Sequence, residues 1–138
     1  MNHYFKIRSQ SKYQNSSNEI ASLTLEIFQD NQWQELILDN QSGGFLLFIN
    51  GLFSCQHLYM RTNCAERDLV LFSSKGTLEV TANKVWQIKK LSVHFDIYIE
   101  TGTPSDEDTA YIIERMHHCP VSANFLYKKK VKNSLCFI

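Results

Sequence analysis

The sequence is short of the residues that punctuate a chain. Its 138 residues hold two prolines and five glycines, too few for a flexible or proline-rich linker. No low-complexity tract or internal repeat divides it. One domain over residues 1–138 is therefore expected, long enough to bury a core without disulfide staples. Neither sign of charge is in excess, because Lys+Arg and Asp+Glu number 14 each. Sequence-independent binding to nucleic acid needs a basic surface, so no nucleic-acid partner is expected. The one basic cluster, Lys128-Lys129-Lys130 with Lys132, reads as a solvated turn or the guard of an edge strand. Long hydrophobic runs are missing too. The longest, Phe45 to Ile49, is far too short for a bilayer. The opening MNHYFKIRSQ has no apolar signal core. No membrane partner and a cytoplasmic location are the expectations, and in that reducing setting the four cysteines read as thiols rather than a disulfide framework.

Metal motifs are absent as well. There is no C-x-x-C and no His-x₃₋₅-His. His117, His118 and Cys119 are consecutive, and neighbouring residues do not readily face one ion, whereas a structural zinc needs four ligands. A cysteine hydrolase using Cys119 with His57 or His94 as base finds no local motif.

What is present is a change of period. Residues 3–9, HYFKIRS, read as a strand and SQSKYQNSSN as a polar turn. EIASLTLEIFQ and WQELILDN read as two strands joined at Asp30-Asn31-Gln32, which is turn chemistry. From Phe45 the spacing becomes three to four: Phe48, Leu52, Cys55, Tyr59, Thr62, Glu66, Leu69. That predicts one long helix over about 45–73, apolar on all sides in its first half and hence buried in a core or at a subunit interface. Gly76 offers a stop, although LVLF read alone suits a short strand. Strands follow over 77–100. In LSVHFDIYIE one face is Leu91, Val93, Phe95, Ile97 and Ile99, the pattern of a half-buried antiparallel strand. A helix over 105–119 opens on a capping box of Ser105 and Asp108, has acids in its first turn, and carries Arg115, His117 and His118 at its end. Pro120 stops it. A short helical turn and a final strand complete 120–138. Strands and helices in this order make an α+β fold.

The cysteines differ in setting. Cys55 lies in the most apolar stretch, where a thiol is ordinarily a small core residue with a raised pKa. Cys64, nine residues on, turns to the opposite face of the helix. With Arg61, Asn63, Glu66 and Arg67 around it, it reads as surface or interface, and Cys136 carries no role. Cys119 falls between a helix end and Pro120, a residue favoured at the first helical position. Free N–H groups at a helix start stabilise a thiolate.

Taken together, GLFSCQHLYMR and CPVS carry a resemblance. A cysteine in an apolar helix after a small residue, an alternating strand, an amphipathic helix and CPVS, in this order, resemble the OsmC/Ohr family over roughly residues 43–126. The positions that match are Gly51, Ser54, Cys55, Cys119, Pro120, Val121 and Ser122. The resemblance implies the OsmC-like fold, with antiparallel sheets wrapped around a long buried central helix in an intertwined homodimer. It implies a thiol peroxidase acting on organic hydroperoxides. Cys55 is then the peroxidatic and Cys119 the resolving cysteine, an external dithiol is the reductant, and no metal or bound cofactor is required. Phe45, Leu46, Phe48, Leu52 and Phe53 are the expected walls of an apolar substrate pocket.

The chain departs from the family pattern at one place. Peroxidase members carry a glutamate one or two turns before the helix cysteine and an arginine from the N-terminal strands. Here those turns read GGFLLFINGLFS, without a carboxylate, and Arg8 is the sole arginine of the first strands. Two readings follow: a thiol peroxidase with a diverged site, or a non-enzymatic relative that binds an apolar ligand or partner in the same pocket.

Overall fold

The computed structural model describes residues 2–124 and 131–138. Among them the elements run β1 (His3–Gln14), β2 (Glu19–Gln29), β3 (Gln32–Glu35), α1 (Gly44–Glu66), β4 (Val70–Ala82), β5 (Ile88–Thr101), α2 (Asp106–Met116), α3 (Pro120–Ala123) and β6 (Val131–Phe137). The expected α+β class is what the chain has. The strands form one sheet in the order β3-β2-β1-β4-β5-β6. All neighbours are antiparallel except β5 and β6, which run parallel. The sheet is thus mixed rather than purely antiparallel, because β6 returns to it only after α2 and α3, the long crossover that parallel pairing needs.

The first strand runs further than HYFKIRS suggests. Ser9 and Ser11 are buried on the helix-facing side, so polar residues continue the alternation through Gln14. The turn that follows places Asn15 and Asn18 at φ 57, a left-handed conformation that asparagine tolerates better than most residues. The hairpin between β2 and β3 turns on Asp30 (φ 53) and Asn31 (φ 61), the conformation of a two-residue loop. β3 ends at Glu35, so most of LILDN lies outside the sheet.

Helix α1 is shorter than its apolar pattern predicts. It ends at Glu66 rather than near residue 73. Asp68 turns left-handed at φ 58, and LVLF opens β4 instead. An apolar tetrapeptide fits either structure by period alone; the turn at Asp68 decides. Gly76, the expected stop, stands in the middle of β4. Ser9 Oγ and Phe95 Cε1 come within 2.6 and 2.7 Å of where its Cβ would be, so glycine there admits the Phe95 ring over the strand.

One face of α1 packs on the sheet. Ile49, Leu52, Phe53 and Met60 meet Ile7, Leu78, Val80, Val93 and Phe95 in one buried cluster that Ile112 and Met116 of α2 join. The capping box of α2 is present. Asp108 N–H donates to Ser105 Oγ and Ser105 N–H donates to Asp108 Oδ2, both at 3.0 Å. The helix ends at Met116, before the expected Cys119, with His117 as its cap. Among the described residues no helix is long and apolar enough to cross a membrane. The lysine cluster 128–130 lies outside the described residues.

Candidate functional site

The fold brings Cys55 and Cys119 together. Cys55 sits half-exposed in the middle of α1, and Cys119 is the N-cap of α3 with Pro120 at the first helical position. The residue after Cys55 makes the junction. Gln56 Nε2 donates to Met116 O at the end of α2 and to Ser122 Oγ of α3, both at 2.8 Å. Cys119 Sγ in turn accepts from Ser122 N–H at 3.3 Å and lies 3.4 Å from Ser122 Oγ. Gln56 is wholly buried, and nothing in the sequence around it marked it as the tie.

The two thiols are close enough to shift each other's ionisation, and they divide their charge unequally. Burial pushes Cys55 up to about 11, and donation of its S–H to Cys119 adds to that. Burial also raises Cys119, but the hydrogen bonds from Cys55, from the Ser122 side chain and backbone and from Gln56 outweigh it. Cys119 is therefore held below its ordinary value. A hydrogen bond to the charged form of a group favours that form. Of the two, the buried Cys119 gives up its proton more readily than the accessible Cys55.

Cys55 opens on a depression of about 370 Å³. Its apolar wall is Ile20, Leu23 and Leu25 of β2 with Phe53 and Leu58 of α1, and its polar lining includes Ser9, Asn50, Ser54, His57 and Arg61. Of the expected pocket residues only Phe53 lines it. Leu52 is fully buried in the core. Phe45 packs on Phe5 and Trp86, with ring centroids 5.4 and 5.0 Å away. Phe48 borders a separate apolar hollow with Leu47, Pro120 and Val121. At about 100° per residue, adjacent side chains of FLLFINGLF fan around the helix and cannot share one pocket. The β2 wall was missed because only the sheet register, Ser9 opposite Leu25 and Ser11 opposite Leu23, sets those leucines over the helix.

Other candidates fall elsewhere. Arg8 lies on the far face of β1, where its Nε donates to Glu26 Oε1 at 2.7 Å and its guanidinium stands 4.0 Å over Trp33. Arg61 is the cation that lines the Cys55 depression. His57 is buried, 2.6 Å from Tyr13 Oη, which is also 2.6 Å from Ser74 Oγ. Burial and then the charge of Arg61 push His57 down to about 4. His94 bonds Ser134 and Asp96 on the strand face opposite Phe95. Cys64 is not at the surface but wholly buried, and burial followed by the charge of Asp108 pushes it up to about 12. Its polar sequence neighbours point to other faces of the helix, while α2 covers its own. Cys136 is exposed, and all four cysteines are free. Among the described residues no group of three or more His, Cys, Asp or Glu side chains is arranged to hold a metal ion.

No protein-family model and no curated protein matches the sequence. Solved structures do. An OsmC-like protein from Mycoplasma pneumoniae is 10% identical, with 94% of each chain covered and a TM-score of 0.54. An OsmC-like hydroperoxide resistance protein from Jannaschia sp. CCS1 is 17% identical, with 88% of this chain and 85% of that one covered and a TM-score of 0.55. Over nearly its whole length, at low sequence identity, the chain has the fold of the OsmC-like proteins.

Proposed function

We propose that the protein is a thiol-dependent hydroperoxidase that uses Cys55 and Cys119. The observation that carries the reading is the meeting of two free thiols, far apart in sequence, where one opens on a cavity and the other is buried among hydrogen-bond donors. One of the solved structures similar to this chain is called an OsmC-like hydroperoxide resistance protein. When Cys119 is ionised it can take the proton of Cys55, which puts charge on the accessible sulfur. Cys55 then attacks the terminal oxygen of an organic hydroperoxide. The O–O bond breaks, the alcohol leaves with a proton, and Cys55 becomes a sulfenic acid. Cys119 attacks that sulfur, water leaves, and a Cys55–Cys119 disulfide forms. An external dithiol supplies the two electrons that reduce it by exchange. The chemistry suits a reducing, cytoplasmic setting.

A homodimer completes this reading. Leu47, Gly51, Ser54 and Leu58 form a stripe on α1 without charge, and Leu47 and Leu58 are 38% and 42% exposed. Glycine inside a helix costs about 1 kcal/mol against alanine, yet nothing in this chain comes within 4 Å of a Cβ added at Gly51. A second α1 crossing there accounts for it.

A second reading, a binder without turnover, is favoured by one observation. The cation of the depression, Arg61, is not among the groups that shift Cys55, and the thiol stands at about 11. The test is consumption of an organic hydroperoxide with a dithiol by wild type, Cys55→Ser and Cys119→Ser. The peroxidase reading expects turnover lost in Cys55→Ser and stalled after the sulfenic acid in Cys119→Ser. It also expects a Cys55–Cys119 disulfide by mass spectrometry after mild peroxide. Equal slow consumption by all three proteins leaves the binder.

A further inference from the structure

Cys119 must do two things in the proposed chemistry: lose its proton, and stand beside Cys55 when that sulfur is oxidised. Gln56 bears on both. It is a wholly buried amide on α1, next in sequence to Cys55. Met116 O can only accept, so the end of the amide 2.8 Å from it is the nitrogen. The same nitrogen donates to Ser122 Oγ, also at 2.8 Å. With its oxygen taken by Gln56, the Ser122 hydroxyl keeps one hydrogen to give, and Cys119 Sγ stands 3.4 Å away. Ser122 N–H reaches the same sulfur at 3.3 Å. Hydrogen bonds to the charged form of a group favour that form. Gln56 Oε1 has no hydrogen-bond partner among the described residues, and a buried carbonyl left unpaired is costly. An apolar side chain of similar length avoids that cost, so stability alone does not account for glutamine here.

We infer that Gln56 is the positioning residue of the resolving step. Acting through Ser122, it turns the serine hydroxyl onto the Cys119 sulfur and ties α3 to α1, so that Cys119 can close a disulfide with Cys55. As a step of peroxide turnover this rests on the hydroperoxidase reading. As a property of the pair it is tested with diamide, an oxidant that holds no peroxide. One thiolate adds to the N=N bond of diamide, the other attacks the bound sulfur, and the hydrazine leaves with two electrons and both protons.

The first measurement is a pH titration of ultraviolet thiolate absorbance in Cys55→Ser/Cys136→Ser, where Cys64, pushed up to about 12, stays protonated. Adding Gln56→Met is expected to raise the Cys119 midpoint by at least about one pH unit, a tenfold loss of thiolate. Ser122→Ala is expected to raise it too, and the two together no further than the larger single change, because they act in one chain of bonds. In the second measurement all four cysteines are kept. Diamide closure of the Cys55–Cys119 disulfide, followed by mass spectrometry, is expected to slow at least tenfold in Gln56→Met, while the exposed Cys136 reacts at its wild-type rate. Circular dichroism confirms folding; should Gln56→Met not fold, Gln56→Asn, whose amide is one methylene shorter, decides in its place. An unmoved midpoint in the folded variant, or additive shifts in the double variant, overturns the proposal. Slowed diamide closure in a protein that consumes no hydroperoxide supports it and sinks the peroxidase reading. Hydroperoxide turnover with disulfide closure at the wild-type rate in Gln56→Met does the reverse.

Discussion

Around its C-terminal end, α1 is tied to the rest of the chain on several sides. Arg67 Nε donates to Asp108 at 2.7 Å, its guanidinium lies 4.8 Å over the Tyr111 ring, and Tyr111 Oη donates to Glu66 at 3.0 Å. Asn18, on the turn between β1 and β2, donates to Arg61 O and Leu69 O and accepts from Leu71 N–H. From Leu47 to Leu58 the same helix has an uncharged stripe open on one side and a thiol facing a cavity. Cys64 and Cys55 mark the two ends. Both thiols are pushed up by burial. Only Cys55 has a second thiol, a cavity and an open face, so the surroundings separate the proposed site from a core residue where the shift alone does not. The closed end holds the fold; the open end is where ligand and second copy are expected.

The largest expected effect lies at the closed end. Asn18 is fully buried, holds φ 57 and serves three main-chain groups through its side chain. In Asn18→Ala, Leu71 N–H loses its acceptor and the Arg61 and Leu69 carbonyls lose the bonds from the amide, and alanine meets the left-handed conformation less easily. At about 1–3 kcal/mol for each buried group left unpaired and about 1–2 for the backbone, a loss of about 4 kcal/mol is expected in urea unfolding. A loss under about 1 kcal/mol removes this tie from the account of why the end is closed.

His57 sits at the border of the two regions and couples them to pH. The unfolded histidine takes up a proton near pH 6.5, whereas the folded one waits until about pH 4. Its contribution to stability is therefore complete above pH 6.5, falls as pH drops, and is gone below about pH 4. The two and a half pH units correspond to about 3 kcal/mol. Unfolding free energies of wild type and His57→Gln, measured from pH 7 to pH 4, are expected to differ by that change in slope. Parallel curves mean that the pocket histidine is not held neutral by burial.

Gly51→Leu tests the open end alone. Within one chain an added Cβ at Gly51 meets nothing within 4 Å, and leucine gains helix propensity, so monomer stability is expected to hold or rise by up to about 1 kcal/mol. A second helix could no longer approach. Sedimentation equilibrium is expected to show association weakened about a hundredfold, near 2.7 kcal/mol. An unchanged oligomeric state places the interface, if there is one, off this stripe.

Much of this architecture was legible in the sequence, and the limits have physical causes. Alternation marked β2 and β5, the three-to-four spacing marked α1, and Pro120 marked the junction that puts Cys119 at a helix start. Each is a local pattern. The end of α1 was not legible, because Leu69 to Phe72 satisfies helix and strand alike until Asp68 turns. Cys64 misled because residues adjacent in sequence are not neighbours on a helix face. The Cys55–Cys119 pair came from family resemblance; local pattern alone read Cys55 as an inert core thiol and Cys119 as a thiol at a helix start, with nothing to join them. Gln56, Asn18 and the β2 wall act across long separations between elements, where one sequence holds no periodic signal.

The smallest expected effect concerns a feature the sequence did show. Ser105 and Asp108 each cap the other's backbone N–H, and Asp108 also receives Arg67, so the start of α2 is both a helix cap and the clamp on the closed end of α1. Ser105→Ala removes the hydroxyl acceptor but leaves the Asp108 carboxylate and its arginine in place. A loss of about 1 kcal/mol is expected, the usual worth of an N-cap, read as a lower urea midpoint with an unchanged slope. Peroxide turnover and oligomeric state both belong to the other half of α1 and are expected to stay as in wild type. If either moves with Ser105→Ala, the two ends are coupled through the helix, and the division between a structural end and a functional end fails.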